Sequence, residues 1–336
     1  MDLIGKTITH KSWGKGIIKG IDQDHVIGAF EIGEKKLQFP DAFSSFLSIE
    51  DANANEYIQN LIVEKQKIES EEKYAYLEQM EKTNISKPAS KHKRANIAFK
   101  CNYCDGGKSA VQIGFDGVCS DDMIYNNIKI QNRTWCNSDD CACLHYLNNE
   151  ISRKELNENC MNGGFVCYES QMLRDWKAFA GIVQNGARKG ERMKLHQVQR
   201  NSLCVLTTRT PKMAEKERFI FAVFWVDDTY EGDGKEEGYV STKSKYKIKL
   251  SPKEACSLRF WNYQANDNKA DSPAWSSGLH RYLEDDIAVQ ILRDIAKIKK
   301  GSADEQLAAE FLDEFCVVNG IDKNNVGEPN GALKRR

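Results

Sequence analysis

Several hallmarks of familiar protein classes are missing from this chain. No apolar run approaches the roughly 18 residues that a membrane-spanning helix needs, and the first residues show no charged stretch followed by an apolar one, as a secretory leader would. Proline is scarce, at six residues, and the formal net charge is −1. No overall field would therefore attract nucleic acid, and attraction must come from local patches. We expect a cytoplasmic protein with no membrane partner.

Common catalytic signatures are missing too. The chain contains no GxxxxGK[ST], GxGxxG, HExxH or GxSxG pattern, and these mark phosphate-binding loops, dinucleotide folds, zinc proteases and serine hydrolases. Cys167 with His196 or His280 would supply a cysteine enzyme only if the fold brought them together. The sequence therefore leaves open whether the protein is an enzyme.

The composition is that of a folded protein of two or three domains, with 40% hydrophobic and 29% charged residues among 336. Short runs with Gly and Asp turns predict strands in residues 1–50, and the Glu- and Lys-rich residues 51–94 predict an exposed helical connector. Residues 95–148 form a cysteine-rich module. Residues 149–302 alternate helix and strand patterns, and a helix with a loose tail is predicted for 303–336. The predicted fold class is α+β.

Cysteine is unusually frequent, at eleven residues, and five of these lie between positions 101 and 141. In a reducing compartment such clustering indicates a metal site more often than disulfides. The CxxC pair Cys101 and Cys104 can hold one tetrahedral ion, and we predict that Cys136 and Cys141 complete a structural zinc site. Two further cysteines are alternative ligands: Cys119 and Cys143. An iron–sulfur cluster is a less favoured occupant.

The N-terminal residues 5–18, GKTITHKSWGKGII, contain the pattern H-x-x-[FW]-G-x-G-x-[IV], with Trp13 at its aromatic position. Phe30 and residues 33–37, GEKKL, continue the likeness. This segment resembles the small SH3/Tudor-like β-barrel at the C-terminal end of bacterial superfamily-1 DNA helicases. The resemblance implies a module that binds nucleic acid, with Trp13 at the contact, or a protein partner such as a helicase or RNA polymerase. The alternative is that Trp13 and Phe30 only fill a small core.

The region 149–302 resembles the PUA/EVE-like domains, which are mixed α/β barrels that bind modified or flipped bases. The likeness rests on residues 165–170, FVCYES, and 220–226, IFAVFWV. The layout of the whole chain resembles an uncharacterised bacterial family with a Cys-rich zinc module and such a domain. These resemblances imply recognition of a base in DNA or RNA.

Basic residues concentrate in two segments. In residues 241–250, STKSKYKIKL, period-two alternation would place four lysines on one face of a strand. These are Lys243, Lys245, Lys247 and Lys249. Such a row can follow a nucleic-acid backbone, although lysines also protect edge strands from aggregation. The second segment, 186–200, contributes Arg188, Lys189 and Arg192, which are predicted contacts unless they only solvate the surface.

Aromatic residues concentrate in the same region, and three of them are predicted to stack on a base: Trp261, Tyr263 and Trp275. Asn262 or Glu169 would then read the edge of that base. The alternative for these rings is an ordinary place in the core.

Six carboxylates fall within residues 227–237. They would either hold Mg²⁺ in a nuclease or form a solvated turn, which we favour. Taken with the basic and aromatic residues, the sequence predicts a nucleic-acid-binding protein that recognises a modified or unpaired base, in a housekeeping or phage-defence setting. The alternatives are a metal-dependent nuclease or other processing enzyme, and an adaptor that docks on a helicase or RNA polymerase.

Overall fold

The structure, a computed structural model, describes residues 2–22, 25–65, 67–68, 92–108, 111–139, 141–161, 166–183, 186–275 and 278–335. The chain forms two compact units, Met1–Ala89 and Ser90–Arg336. Both helices and sheets are present, so the protein is α+β. The cysteine-rich module and all later predicted regions lie within the second unit. None of the described helices combines the length and the apolarity that a membrane span requires.

The first unit is a five-stranded antiparallel sheet. Its strands are β1 (Thr7–His10), β2 (Gly14–Ile21), β3 (His25–Phe30), β4 (Gly33–Gln38) and β5 (Leu47–Ile49). The first four form a meander, and β5 returns to pair with β1, which gives the order β4-β3-β2-β1-β5. The pairings among the described residues leave β4 and β5 at the two edges, so this sheet is not a closed barrel.

Two helices accompany this sheet. Helix α1 (Ala42–Ser45) precedes β5, and residues 52–65 form α2. Apolar residues four apart place Ala54, Ile58 and Ile62 on one face of α2, and all three are buried. The rest of the predicted helical connector, between residues 69 and 91, lies outside the described residues.

Close packing around Phe30 explains two glycines of the first unit. A Cβ atom on Gly16 would lie 2.5 Å from the Phe30 ring, and one on Gly28 would lie 2.6 Å from it. Any larger residue at either position would displace the ring, because real Cβ contacts are not that short.

The second unit is built on a five-stranded sheet with a smaller three-stranded sheet beside it in the fold. Its strands are β6 (Asn96–Lys100), β7 (Lys177–Phe179), β8 (Leu203–Thr208), β9 (Phe219–Trp225), β10 (Asp228–Tyr230), β11 (Tyr239–Ser241), β12 (Lys247–Lys249) and β13 (His280–Leu283). The larger sheet has the order β12-β9-β8-β6-β13, in which β6 and β8 are parallel and the other pairs are antiparallel. Every residue of β8 and β9 is buried, as in strands that are covered on both faces.

Helices surround this sheet in the described residues. They are α3 (Asp121–Tyr125), α4 (Ala142–Leu147), α5 (Arg153–Met161), α6 (Tyr168–Asp175), α7 (Pro252–Ser257), α8 (Asp285–Lys299) and α9 (Glu305–Val318). Helix α7 begins as its sequence predicts, because the Ser251 hydroxyl accepts from the Glu254 amide and the Glu254 carboxylate accepts from the Ser251 amide. The predicted amphipathic helix 284–299 corresponds to α8, which packs against α9.

Three segments differ from their predictions. The residue pattern from Ser170 to Ile182 predicts a helix, but α6 starts earlier and stops at Asp175, because Trp176 takes the left-handed conformation (φ 47°) and a strand follows. The pattern from Tyr239 to Leu250 predicts one strand, which the structure divides between β11 and β12. The segment predicted as a loose tail is packed, since the Ala332 amide donates to Gln264 and the Leu333 amide donates to Trp261.

Candidate functional site

The strand order brings polar residues together at one edge of the larger sheet, where the carboxyl ends of its parallel strands lie. The parallel strands β6 and β8 end there, at Lys100 and Thr208, and Arg209 follows directly. Because β9 runs antiparallel to β8, it begins at the same edge, immediately after Arg218. Ligand sites commonly form outside the carboxyl ends of parallel strands, and cavities lie at this edge.

One of these, which we call the aromatic cavity, has a volume of about 300 Å³. This is the lower end of the range for small-ligand pockets. Four aromatic residues line it: Phe99, which is buried, and Trp135, Tyr168 and Phe179. The rings of Tyr168 and Phe179 are stacked with centroids 4.6 Å apart. Trp135 is 37% exposed, which is high for a residue whose average burial is large.

The start of helix α6 positions two of the lining residues. Cys167 is the cap: its Sγ accepts from the Ser170 amide at 3.4 Å, and the Ser170 hydroxyl accepts from the Cys167 amide at 3.2 Å. Tyr168 and Glu169 are then the first two helical residues, and both reach the aromatic cavity.

Among the described residues that line the aromatic cavity, Glu169 is the one with a carboxylate side chain. Its Oε1 accepts from the Asn102 amide at 3.0 Å. Burial raises the pKa of Glu169, and the hydrogen bond from Asn102 opposes that shift. The carboxyl group borders the cavity and is otherwise enclosed by protein. A group in this position can accept hydrogen bonds from the N–H groups of a ligand, and can donate one when protonated.

A second cavity, of about 90 Å³, lies on the other side of the segment 100–102. We call it the cationic cavity because four basic side chains line it: Lys100, Arg133, Arg209 and Arg218. Glu215 is the single acidic residue among the described residues of its lining. The two cavities share Lys100, Cys101 and Asn102.

Six cysteines line a third and smaller cavity of about 30 Å³, which we call the thiol cavity: Cys104, Cys119, Cys136, Cys141, Cys143 and Cys167. Three of the four predicted zinc ligands are therefore brought together. The fourth, Cys101, points elsewhere, since its Sγ lies 3.6 Å from Met172 Sδ and the residue lines the other two cavities. Cys167 takes its place in the cluster. The sequence signal for it was weak, because Cys167 lies outside the dense group of residues 101–143.

Four of the thiols in this cavity form two pairs that perturb each other. The Cys104 thiol, whose Sγ donates to the Gly117 carbonyl at 3.5 Å, raises the pKa of Cys119, and the Cys143 thiol lowers the pKa of Cys141. Burial raises the pKa of Cys136 to about 12. In the part of the chain that the structure describes, no three His, Cys, Asp or Glu side chains are already arranged around one metal position.

The predicted basic contacts divide into two groups. In the 243–249 row Lys243, Lys245 and Lys249 are exposed and Lys247 is half-buried near the Trp176 ring, while Tyr246 and Ile248 are buried. Strand β12 is at a sheet edge, and Lys245 pairs with Glu310 at 2.8 Å. This arrangement is typical of edge-strand protection, and Lys243, Lys245, Lys247 and Lys249 line none of the three cavities.

Arg192 has a different position, because it lines the aromatic cavity. It follows the tight turn at Gly190, in which the Arg188 side chain pairs with Glu191 at 2.6 Å and Lys189 is exposed. Of the three basic residues predicted in this loop, Arg192 is thus the one that the fold brings to the cavity edge.

The predicted stacking residues of the second unit lie in its core. Trp261 is fully buried, and Tyr263 and Trp275 are nearly so. Trp261 Nε1 lies 3.3 Å from the Glu215 carboxylate, to which it donates, and the Arg218 guanidinium lies 5.1 Å from the Trp275 ring. Trp261 and Trp275 therefore contact residues of the cationic cavity from within the core. The Tyr263 hydroxyl donates to Asp294 at 2.7 Å, and Tyr263 lines another cavity, of about 570 Å³. Trp13 belongs to the first unit, where it stacks on His10 with ring centroids 3.7 Å apart.

The acidic segment 227–237 is used to build turns. Asp227 accepts from the amides of Lys243 and Ser244, both at 2.8 Å, and Asp233 accepts from two amides of its own turn. Glu237 is buried, and burial raises its pKa to about 7. This use of the carboxylates gives no support to the nuclease alternative.

Comparisons of the chain with protein-family models, with curated proteins and with solved structures found no match. The function must therefore be inferred from the three cavities.

Proposed function

We propose that the second unit binds an unpaired nucleobase of DNA or RNA in the aromatic cavity. The observation that carries this proposal is that flat rings and one half-buried carboxylate share a cavity of about 300 Å³. A base offers what these groups need: two apolar faces for stacking and an edge of N–H donors and acceptors. The PUA/EVE-like resemblance of this region is in keeping with the same ligand class.

Stacking is the first contribution to binding. Trp135 has exposed surface at the cavity, and a base placed there would cover it. Stacking of a base on an aromatic side chain is worth about 1–3 kcal/mol and tolerates any base. The rings alone would therefore give affinity without selecting a sequence.

Selectivity would come from Glu169. A carboxylate accepts hydrogen bonds from the exocyclic amino groups or ring N–H groups of a base, and these groups differ between bases. Arg192 at the cavity edge adds a cation near the path of the phosphate backbone. The expected ligand is single-stranded, because the edges and both faces of a paired base are covered.

The test is fluorescence anisotropy with labelled single-stranded DNA and RNA. Tyr168→Ala should weaken binding about 5- to 100-fold, the effect of losing one stacking partner. Tyr125→Ala is the matched control, since Tyr125 is exposed and lines none of the three cavities. Absence of salt-dependent binding to either polymer, or equal losses in the two variants, would overturn the proposal.

We also propose a structural zinc ion in the thiol cavity, held by Cys104, Cys136 and Cys141 with one further cysteine of that cavity. The donor set fits, because thiolates are the ligands that structural zinc prefers. Binding would require the paired thiols to lose protons and turn toward a common point. The ion would fasten Cys136 and Cys141, which precede α4, to Cys104, next to the aromatic cavity that Cys141 and residues 100–102 line.

For the first unit we propose an SH3/Tudor-like module. Its support is the strand order, a four-stranded meander with a fifth strand that returns to β1 after a short helix. Trp13 is half-buried against His10, and Lys35 Nζ lies 5.9 Å from its ring centroid; this ring offers a contact for a protein partner such as a helicase or RNA polymerase. Capture of such a partner that survives nuclease treatment and is lost in Trp13→Ala would support this docking role. Capture unaffected by Trp13→Ala would contradict it.

A further inference from the structure

The four basic side chains of the cationic cavity carry more positive charge than its single carboxylate, Glu215, can neutralise. Glu215 is shared by Arg218, with contacts of 2.6 and 3.0 Å, and by Arg209 at 3.3 Å. Arg218 also contacts Thr207, and Arg209 donates to the Met213 carbonyl. These two guanidinium groups therefore have partners.

Lys100 and Arg133 have no carboxylate partner in the described part of the chain. No carboxylate there pairs with either side chain, and the Nε atom of Arg133 is buried without a hydrogen-bond partner. Burial and the neighbouring arginines lower the pKa of Lys100. The same causes, burial first and Arg209 next, lower the pKa of Arg133.

Such an arrangement is unfavourable unless an anion completes it. A fully buried charge without a partner costs several kcal/mol, and Lys100 and Arg133, which are half-buried, carry part of that cost. The guanidinium fork matches the oxygens of a tetrahedral oxyanion, and lysine supplies a point charge beside it. The cavity of about 90 Å³ lies where both groups face it.

We propose that the cationic cavity binds the phosphate monoester of the same nucleotide whose base occupies the aromatic cavity. This inference rests on the proposed function and adds to it. Lys100, Cys101 and Asn102 line both cavities, so the cavities adjoin and one nucleotide can reach both. Four cations against one carboxylate favour the dianionic monoester, with a charge of about −1.5 to −2, over an internal phosphodiester.

The monoester has two sources, a free mononucleotide or the phosphorylated end of a strand. Both present the same group to Arg133, and both are included in the test. Isothermal titration calorimetry in buffer free of phosphate and sulfate would compare nucleosides, their 5′-monophosphates and inorganic phosphate. Single strands with a 5′-phosphate, a 3′-phosphate or only hydroxyl ends form the second set of probes.

The variant is Arg133→Met, which removes the charge and keeps an unbranched side chain. Its control is Arg259→Met, because Arg259 is exposed and lines none of the three cavities. Monophosphates should bind about 10- to 100-fold more tightly than nucleosides, the effect of charge-assisted hydrogen bonds. Arg133→Met should abolish that preference without weakening nucleoside binding, and Arg259→Met should retain it.

The outcomes separate this inference from the proposed function. Equal affinity for nucleoside and monophosphate, or equal effects of the two arginine variants, would overturn the phosphate site. Strand binding that depends on Tyr168 but not on Arg133 would overturn it and keep base binding. Arg133-dependent binding of inorganic phosphate without any binding of nucleosides or strands would leave an anion site and refute base recognition. A gain confined to mononucleotides, or to phosphorylated strand ends, supports the site and identifies its source.

Discussion

Replacing Arg133 with methionine should stabilise the second unit when no anion is bound. Leaving a fully buried charge unpaired costs about 3–5 kcal/mol. Arg133 is only partly buried, so solvent screening reduces the cost to about 2 kcal/mol. Altered packing of its stem would return about 1 kcal/mol of this. The expected net effect is a free energy of unfolding about 1 kcal/mol higher than that of the wild type.

Phosphate should reverse the order of the two proteins. A ligand present at 100 times its dissociation constant stabilises the folded state by about 2.7 kcal/mol. That stabilisation should apply to the wild type and be largely lost in Arg133→Met. The wild type should therefore become the more stable protein in high phosphate at constant ionic strength.

Urea unfolding, followed by tryptophan fluorescence, measures both effects. The second unit contains every tryptophan except Trp13, so the signal reports mainly on that unit. Arg259→Met is the control and should stay within about 0.5 kcal/mol of the wild type. The reasoning would be refuted if Arg133→Met were clearly destabilising without phosphate, or if phosphate stabilised it as much as the wild type.

Three other perturbations test separate parts of the structure. Burial raises the pKa of Glu237 to about 7, so folding stability should fall as pH rises from about 4.5 to 7. The Glu237→Gln variant should therefore be about 1–2 kcal/mol more stable than the wild type at pH 8 and equal to it at pH 4. A constant difference in stability across this range would contradict the assignment. Metal analysis should find about one zinc per chain, reduced in Cys104→Ser and unchanged in the exposed-thiol control Cys256→Ser; metal-free wild type would contradict the zinc proposal. Gly181→Ala should cost about 1–3 kcal/mol in thermal or urea unfolding, because φ is +84° and the new Cβ would lie 2.4 Å from Leu279; unchanged stability would show that the local geometry differs.

Local sequence patterns predicted several helices and strands correctly. The apolar runs that became β8 and β9, and the i, i+4 pattern of α8, needed only periodicity and hydrophobicity. The Ser251 cap and the Pro that follows it marked the start of α7. The predicted boundaries were wrong where the backbone conformation of one residue decides them. Trp176 is an example, because its left-handed backbone ends α6 and no sequence pattern indicates that conformation.

The candidate site was only partly visible in the sequence, because it depends on contacts between distant segments. Glu169 and Arg192 were named, but the rings chosen for stacking lie in the core. Aromatic residues next to buried strands give the same sequence pattern whether they fill a core or line a cavity, so the sequence cannot distinguish the two cases. Arg133 was missed for a related reason. Its significance comes from Lys100 at the end of β6, Arg209 after β8 and Arg218 before β9, and only the strand order brings them together.

The most direct test of base binding in the aromatic cavity is photochemical cross-linking. A single strand that contains 5-iodouridine would be irradiated in complex with the full chain, and the modified peptides would be identified by mass spectrometry. The structure predicts cross-links at Trp135, Tyr168 or Phe179, which line the cavity. Cross-links confined to Trp13 or to the surface around Lys243 and Lys249 would contradict it.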